Sequence, residues 1–317
     1  MTTALAARRS YWLLVLLVVI WGASWPVVKT GVTAVPPIWF ACLRYVTGTV
    51  CLVAVVALRG ELRYPPPADW KLIAISGVLQ MAAYSGLSAV ALTRLPAGRA
   101  SVLAFSTPLW VAPLSVWKLG DQIRWRERIG VGAGVVGVLV IASPGLLRAA
   151  HDQLWPYALL ICAAAAWAVS IVFVRAHRFH ASALALAPWQ TLVAASLLLP
   201  LAIALEGLVP PMNARGVASL VYVGPIATAF AYWAVVEIGR SVRATTMSMA
   251  LLAVPGVGLL ISALAFHEAV NLSLGLGVVL IAAGVLLTTT GARRYPRGDD
   301  GRLHDSVRDR TGIGEAV

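Results

Sequence analysis

Ten apolar runs of about 20 residues, at 11–31, 38–58, 70–92, 97–117, 129–147, 155–175, 182–204, 216–237, 244–266 and 272–291, follow one another through this chain with only short connections between them. A run of that length spans a hydrocarbon core of roughly 30 Å at about 1.5 Å per residue. Inside lipid each backbone N–H and C=O must be satisfied within its own segment, so the runs are expected to be helices and not strands. Composition closes the other route: 60% of the 317 residues are hydrophobic and 12% are charged, where a soluble domain carries roughly a quarter charged. The expected fold is an all-α integral membrane protein of ten transmembrane helices, with the lipid bilayer as its solvent.

The chain also repeats itself. At an offset of 147, Ser101 falls on Ser248, Pro108 on Pro255, Asp121 on Glu268, Gly130 on Gly277 and Gly137 on Gly284; at 146, Trp21 falls on Trp167 and Ser24 on Ser170. This is the mark of a duplicated unit. It divides the chain into a cytoplasmic N-terminus (1–10), a five-helix repeat (11–147), a second repeat (155–291) and a tail (292–317). Five spans is an odd number, so the second repeat is expected to thread the bilayer upside down relative to the first, the two enclosing a central cavity. Arg8 and Arg9 before an apolar run, with Gly22-Ala-Ser24 behind it, resemble a signal peptide. The match of this segment to the sixth run instead predicts a retained helix.

The formal charge of +12 could suggest nucleic acid, but the basic residues sit in the connections, where they set topology. With the N-terminus inside, 19 Lys and Arg lie on the inner side and 4 on the outer, beyond Lys29 and Arg44 within spans. The positive-inside rule then places both termini in the cytoplasm and the protein in the cytoplasmic membrane. The tail mixes Arg, Asp and Gly without an apolar period and is expected to be disordered. No partner chain is implied, and a monomer is compatible with this reading.

Pro108 lies near the middle of the fourth span, where its ring removes the bond to the Ala104 carbonyl; Pro255 does the same to Leu251 in the ninth. Paired interruptions at matching positions of inverted halves point to a transporter's binding site and to flexing points around it. Arg44 is the deepest charge, roughly 6 Å from the midplane at about 1.5 Å per residue. It is expected to face the bundle interior, either meeting a solute carboxylate or capping carbonyls. Lys29, near the outer end of the first span, is expected to snorkel toward the interface. The aromatic residues Trp21, Tyr84, Trp110, Trp167, Tyr232 and Trp233, with Ser24, Gln80, Ser106, Thr107, Ser170 and Thr228 between them, describe a cavity for amphipathic solutes. None of the 13 acidic residues is deep in a span, which disfavours ion coupling through a buried carboxylate and favours facilitated export or exchange. His177 and His180 are expected to lie in a solvated loop. The three cysteines have no metal-ligand spacing, and no phosphate-binding or nucleophile motif is present, so no cofactor or metal is expected.

These residues resemble the EamA-like ten-helix transporters of the drug/metabolite transporter superfamily. The resemblance lies in Trp21-Gly-Ala-Ser-Trp-Pro-Val-Val-Lys29, in Leu43-Arg44-Tyr45, in the segment from Pro96 to Pro108 that ends at Gly120-Asp121, and in its echo from Arg243 to Glu268. It implies a cavity formed by spans one, three, four, six, eight and nine, export of amino acids, related metabolites or drugs, and an architectural role for Lys29 and Arg44. Asp121 stands where Glu is more usual, and His267 where Gly is common. The preferred reading is a secondary transporter of small organic solutes. The alternative, an intramembrane enzyme acting on a lipid-like substrate, requires a buried nucleophile and base that no span supplies. A membrane scaffold without transport leaves the paired prolines unexplained.

Overall fold

A computed structural model describes residues 2–120, 124–147, 154–177, 179–209, 211–239, 242, 247, 250–267 and 271–290. The tail from 292 to 317, together with Asp121, Ser248 and Glu268, lies outside the described residues. The helices are α1 (Thr2–Ala34), α2 (Pro37–Leu58), α3 (Pro67–Leu92), α4 (Ala97–Leu119), α5 (Trp125–Leu147), α6 (Trp155–Ala176), α7 (Ala183–Glu206), α8 (Ala214–Gly239), α9 (Val254–Phe266) and α10 (Leu272–Thr290). Among the described residues there is no strand. Seven of these helices, α1 to α4 and α6 to α8, are long and apolar enough to cross a membrane, while α9 and α10 are shorter apolar helices. Val50, Leu205, Leu264 and Val279 lie 65 to 71% exposed on the outside of the bundle, a surface that water would not tolerate and lipid does.

Three boundaries differ from those expected. Helix α1 begins at Thr2, well before the expected 11. Helix α5 begins at Trp125, so Arg126, Glu127 and Arg128 occupy its first turn; Glu127 accepts the Arg124 N–H at 3.1 Å as a cap. The expected span 244–266 is interrupted: Met247, Ala250 and Leu251 are helical, a turn follows at Leu252 and Ala253, and α9 begins at Val254.

Distortions recur at the repeat interval. Helix α3 contains a π-helical stretch at Ser76–Ala83 and α8 one at Tyr222–Phe230, with starting points 146 residues apart. Pro225 lies in the second, where a missing donor promotes the wider turn. At each stretch a glycine brings a neighbouring backbone close: a Cβ on Gly77 would sit 2.8 Å from the Gln190 carbonyl, and one on Gly224 3.2 Å from the Arg44 carbonyl. Gln190 and Arg44 are themselves 146 residues apart. Helix α4 breaks at Phe105 and Ser106, which matches the turn before α9 at an offset of 147.

Packing has the same exchange symmetry. Helix α1 packs on α8 and α9, and α6 packs on α3 and α4; α2 runs along α7, and α5 along α10. The last two pairs are antiparallel. Along α5 and α10, Gly130 meets Gly284, Gly137 meets Ile281 and Ile141 meets Gly277, small residues that allow close backbone approach. Along α2 and α7, Thr49 donates to Thr191 at 2.8 Å, and at the other end the Glu206 carboxylate accepts the Ile38 and Trp39 N–H groups at 2.9 and 2.8 Å. Glu206 thereby satisfies the orphan donors at the start of α2. Asp69, fully buried, ties α3 to the turn before α7 by accepting the N–H groups of His180 and Ala181 at 3.0 and 2.9 Å, with His180 Nδ1 at 3.0 Å. His180 lies exposed in this loop, as expected from sequence, and its backbone and ring also tie the loop to α3.

Candidate functional site

A cavity of about 240 Å³ lies between α1, α2, α3, α4, α6 and α8. A single water needs roughly 10–15 Å³ by this measure, so the space suits an organic solute. One wall is a stripe of α1 at helical spacing, Trp21, Ser24, Trp25 and Val28, and the wall facing it is Tyr84, Ser85, Ser88 and Leu92 of α3. These residues recur every three or four positions because only one face of each helix turns inward.

Each wall is fixed by bonds between helices. Trp21 Nε1 donates to the Ala227 carbonyl at 3.2 Å, and Tyr222 Oη donates to the Ile20 carbonyl at 2.9 Å, holding α1 against the π-helical stretch of α8. Ser24 also gives its proton to the Ile20 carbonyl, at 2.8 Å. Tyr45 Oη lies 2.6 Å from Ser85 Oγ and 3.3 Å from the Met81 carbonyl, joining α2 to α3. Tyr84 and Trp167 meet edge to face with centroids 4.9 Å apart, and Phe105 meets Trp167 at 6.3 Å. Edge-to-face pairs of this kind contribute about 0.5–1.5 kcal/mol each beyond area, enough to keep the rings in one arrangement.

Among the described residues, Arg44 is the charged residue of the lining. Its Nε donates to Thr228 Oγ1 at 3.0 Å, and Thr228 passes its own proton to the Val223 carbonyl at 2.8 Å, a partner five residues back that the π-helical turn makes available. The guanidinium also lies 5.6 Å from the Tyr45 ring centroid. Gln190, its repeat position, is buried and does not line the cavity.

The residues picked out by depth divide into two groups. Trp21, Ser24, Gln80, Tyr84, Trp167, Thr228 and Tyr232 line the cavity with Arg44, whereas Ser106, Thr107, Trp110, Ser170 and Trp233 do not. Ser106, Thr107 and Trp110 serve the break in α4 instead. Thr107 Oγ1 donates at 2.9 Å to the Ala104 carbonyl that Pro108 leaves without its helical partner, and Trp110 Nε1 reaches Ser106 Oγ at 3.4 Å. The freed carbonyl is thus answered from within the helix and not by the cavity. Ser170 is buried on α6 away from the space, and Trp233, one residue past Tyr232, is turned about 100° around α8 to pack on Phe230 with centroids 5.4 Å apart.

Neither proline lines the cavity. Both begin helices, Pro108 in the first turn of Thr107–Leu119 and Pro255 in the first turn of α9. The Pro255 carbonyl receives Ser101 Oγ at 3.4 Å, and Gly258 packs on the Gly22 carbonyl and on Ser101. Helix α9, expected in the lining, therefore sits behind α1 and α4, and α2 takes its place through Arg44 and Tyr45. Lys29 does not simply reach for the interface: its Nζ donates at 2.6 Å to the Leu92 carbonyl at the end of α3. Trp25, Tyr45, Ser85, Ser88 and Phe105 were not singled out from the sequence. The i, i+3, i+4, i+7 stripe from Trp21 to Val28 and the stripe around Tyr84 were the available signals.

Comparison with known proteins agrees with this architecture. The model of the EamA-like transporter family matches the chain twice, over residues 8–143 and 154–290. The chain is 26% identical over 278 residues to the uncharacterized transporter YoaV of Bacillus subtilis, covering 87% of this chain and 95% of that protein. It is 26% identical to a probable amino-acid metabolite efflux pump of Escherichia coli, covering 90% and 97%, and 28% identical to a probable terminal-alkyne amino-acid exporter of Streptantibioticus cattleyicolor, covering 90% and 96%. A solved crystal structure shares the fold with a TM-score of 0.60 at 23% identity, covering 91% of this chain and 99% of that one. With its two matched segments, its apolar helices and the cavity between them, this multi-pass membrane protein belongs to the EamA-like transporter family.

Proposed function

We propose that the protein is a secondary transporter that exports small amphipathic organic solutes, amino acids and related metabolites among them, across the cytoplasmic membrane. The observation that carries this reading is the aromatic cavity itself, drawn from helices of both matched segments and holding one intramembrane cation. Two relatives named for amino-acid or amino-acid metabolite export over more than nine-tenths of their length support the solute class. Ten spans in two oppositely threaded five-helix repeats, with both termini cytoplasmic, account for the antiparallel pairing of α2 with α7 and of α5 with α10. Alternating access then follows from the two halves exchanging their arrangements around the cavity, with the α4 break and the turn before α9 as flexing points.

The enzyme alternative gains nothing from the site. Among the described residues the lining contains no Asp, Glu, His or Cys, so its hydroxyls have no carboxylate or imidazole beside them as a base. The test is metabolite profiling of cells that overproduce the protein, lack it, or produce the Trp167→Ala form. The proposal expects solutes to leave overproducing cells faster, and Trp167→Ala to abolish the difference while the protein still reaches the membrane. Identical metabolite pools in all strains would reject it.

A further inference from the structure

We infer that the cavity selects an organic monocarboxylate: one carboxylate meets the Arg44 guanidinium, an apolar or aromatic body lies against Trp21, Tyr84 and Trp167, and no ammonium is recognised. This deepens the transport reading and rests on it.

The charges around the cavity are out of balance. Arg44 lines the cavity deep in the bundle, and among the described residues no Asp or Glu lines it with Arg44. A cation at membrane depth requires a partner, because its desolvation is otherwise uncompensated. The hydrogen bond to Thr228 at 3.0 Å uses only Nε. Since the Thr228 proton is committed to the Val223 carbonyl at 2.8 Å, Thr228 acts toward Arg44 purely as an acceptor and orients the guanidinium plane. The two terminal nitrogens keep donors to offer, and their planar fork matches a carboxylate with two parallel bonds.

A second observation is independent of Arg44. Ser88 lines the same cavity, its side chain is 6% exposed, and its hydroxyl has no hydrogen-bond partner. A buried polar group left without a partner is an exception that a ligand would resolve. The oxygen itself is closed off from the space, so a turn about the Ser88 Cα–Cβ bond is what brings this hydroxyl to the solute, from the wall that also carries Tyr84.

Two features narrow the class. The repeat mate of Arg44 is Gln190, which is neutral and outside the lining, so the site provides for one carboxylate and not two. The lack of a lining acid also leaves a solute ammonium facing the field of Arg44 with no counter-charge. Oxo, hydroxy and N-acyl acids with apolar bodies should therefore be preferred over the zwitterionic amino acids of the same shape.

The test is counterflow in proteoliposomes with four phenyl compounds of similar size: 3-phenylpropionate, phenylalanine, 3-phenylpropanamide and 2-phenylethylamine. We expect 3-phenylpropionate to exchange best, phenylalanine less well, and the amide and amine about 10- to 100-fold less, the range of one or two charge-assisted bonds. Arg44→Gln should erase the difference between acid and amide, and Arg44→Lys should keep part of it. Equal exchange of acid and amide by the unaltered protein, or preference for the amine, overturns the inference and leaves the transport reading standing. No exchange of any of the four by folded protein overturns both. The acid-to-amide comparison needs no variant, so misfolding of Arg44→Gln would not remove the test.

Discussion

Arg175 on α6 donates through Nη1 to Ser115 on α4 at 3.0 Å, while Lys29 on α1, its counterpart 146 residues earlier, donates at 2.6 Å to the Leu92 carbonyl. Ser262 on α9, the counterpart of Ser115, is fully buried with no hydrogen-bond partner. The two contacts lie at opposite ends of α3: Lys29 reaches its Leu92 end, and Phe173, half a turn from Arg175, lies 5.5 Å from Lys71 at the other. Equivalent residues of the two matched segments thus hold different partners. The proposed exchange of the halves requires an asymmetry of this kind in any one state.

Ser262→Ala and Ser115→Ala should consequently behave differently. Removing the Ser262 hydroxyl deletes an unanswered polar group and should leave the melting temperature in detergent unchanged or raised. It should still slow counterflow several-fold, because Lys29 loses the acceptor it would meet in the opposite state. Ser115→Ala breaks an existing bond to a charged donor and should destabilise by about 1.5–3 kcal/mol. Unchanged counterflow by Ser262→Ala would contradict this role.

His267 caps α9 in the left-handed conformation, with φ of 52°, at the position matching Gly120, whose φ is 69°. A side chain there is strained where glycine is not. His267→Gly is expected to stabilise the protein by about 0.5–1 kcal/mol without changing transport, read from thermal unfolding in detergent and from counterflow rate.

Glu206→Ala should expose the start of α2, leaving the Ile38 and Trp39 N–H groups without their acceptor. Helix caps of this kind contribute about 0.5–2 kcal/mol, and Pro37 at the first helical position cannot compensate, so a lowered melting temperature is expected. Glu206→Asp, which is shorter but still charged, should recover part of the loss; no change in either variant would remove the capping account.

At the α4 break, Thr107→Ala should cost about 1–3 kcal/mol by leaving the Ala104 carbonyl unanswered, and Thr107→Ser should restore it. Adding Pro108→Ala to Thr107→Ala returns a backbone donor for that carbonyl. The pair should then be more stable than Thr107→Ala alone yet slower in transport, because a continuous helix no longer flexes. Additive effects in the double-mutant cycle would contradict this coupling.

Lipid made much of the fold legible in the sequence. Apolar run lengths marked the helices, and Pro108, Pro255 and the glycines of α5 and α10 marked the duplication, because each serves backbone geometry that tolerates few residue types. Depth in a span placed Trp21, Tyr84, Trp167 and Arg44 near the centre. Which face of a helix turns inward was harder to read, since helices surrounded by apolar material carry little contrast between faces. Trp233 was grouped with Tyr232 for that reason, and Tyr45 was passed over beside Arg44. The π-helical stretches at Ser76–Ala83 and Tyr222–Phe230 shift register partway along α3 and α8, a change that Pro225 marks in the second stretch and no proline marks in the first. Thr107 and Ser106 looked like solute contacts because their duty to the broken helix is visible only once Ala104 is in place.

The exchange of the two halves is tested most directly by paired spin-label distances in a chain cleared of Cys42, Cys51 and Cys162, with labels at Thr33 and Leu264 for one end and at Trp117 and His177 for the other. On addition of saturating 3-phenylpropionate, the account predicts that the Thr33–Leu264 distance shortens while the Trp117–His177 distance lengthens. Both distances moving in the same sense, or neither moving while the solute is being exchanged, would contradict it.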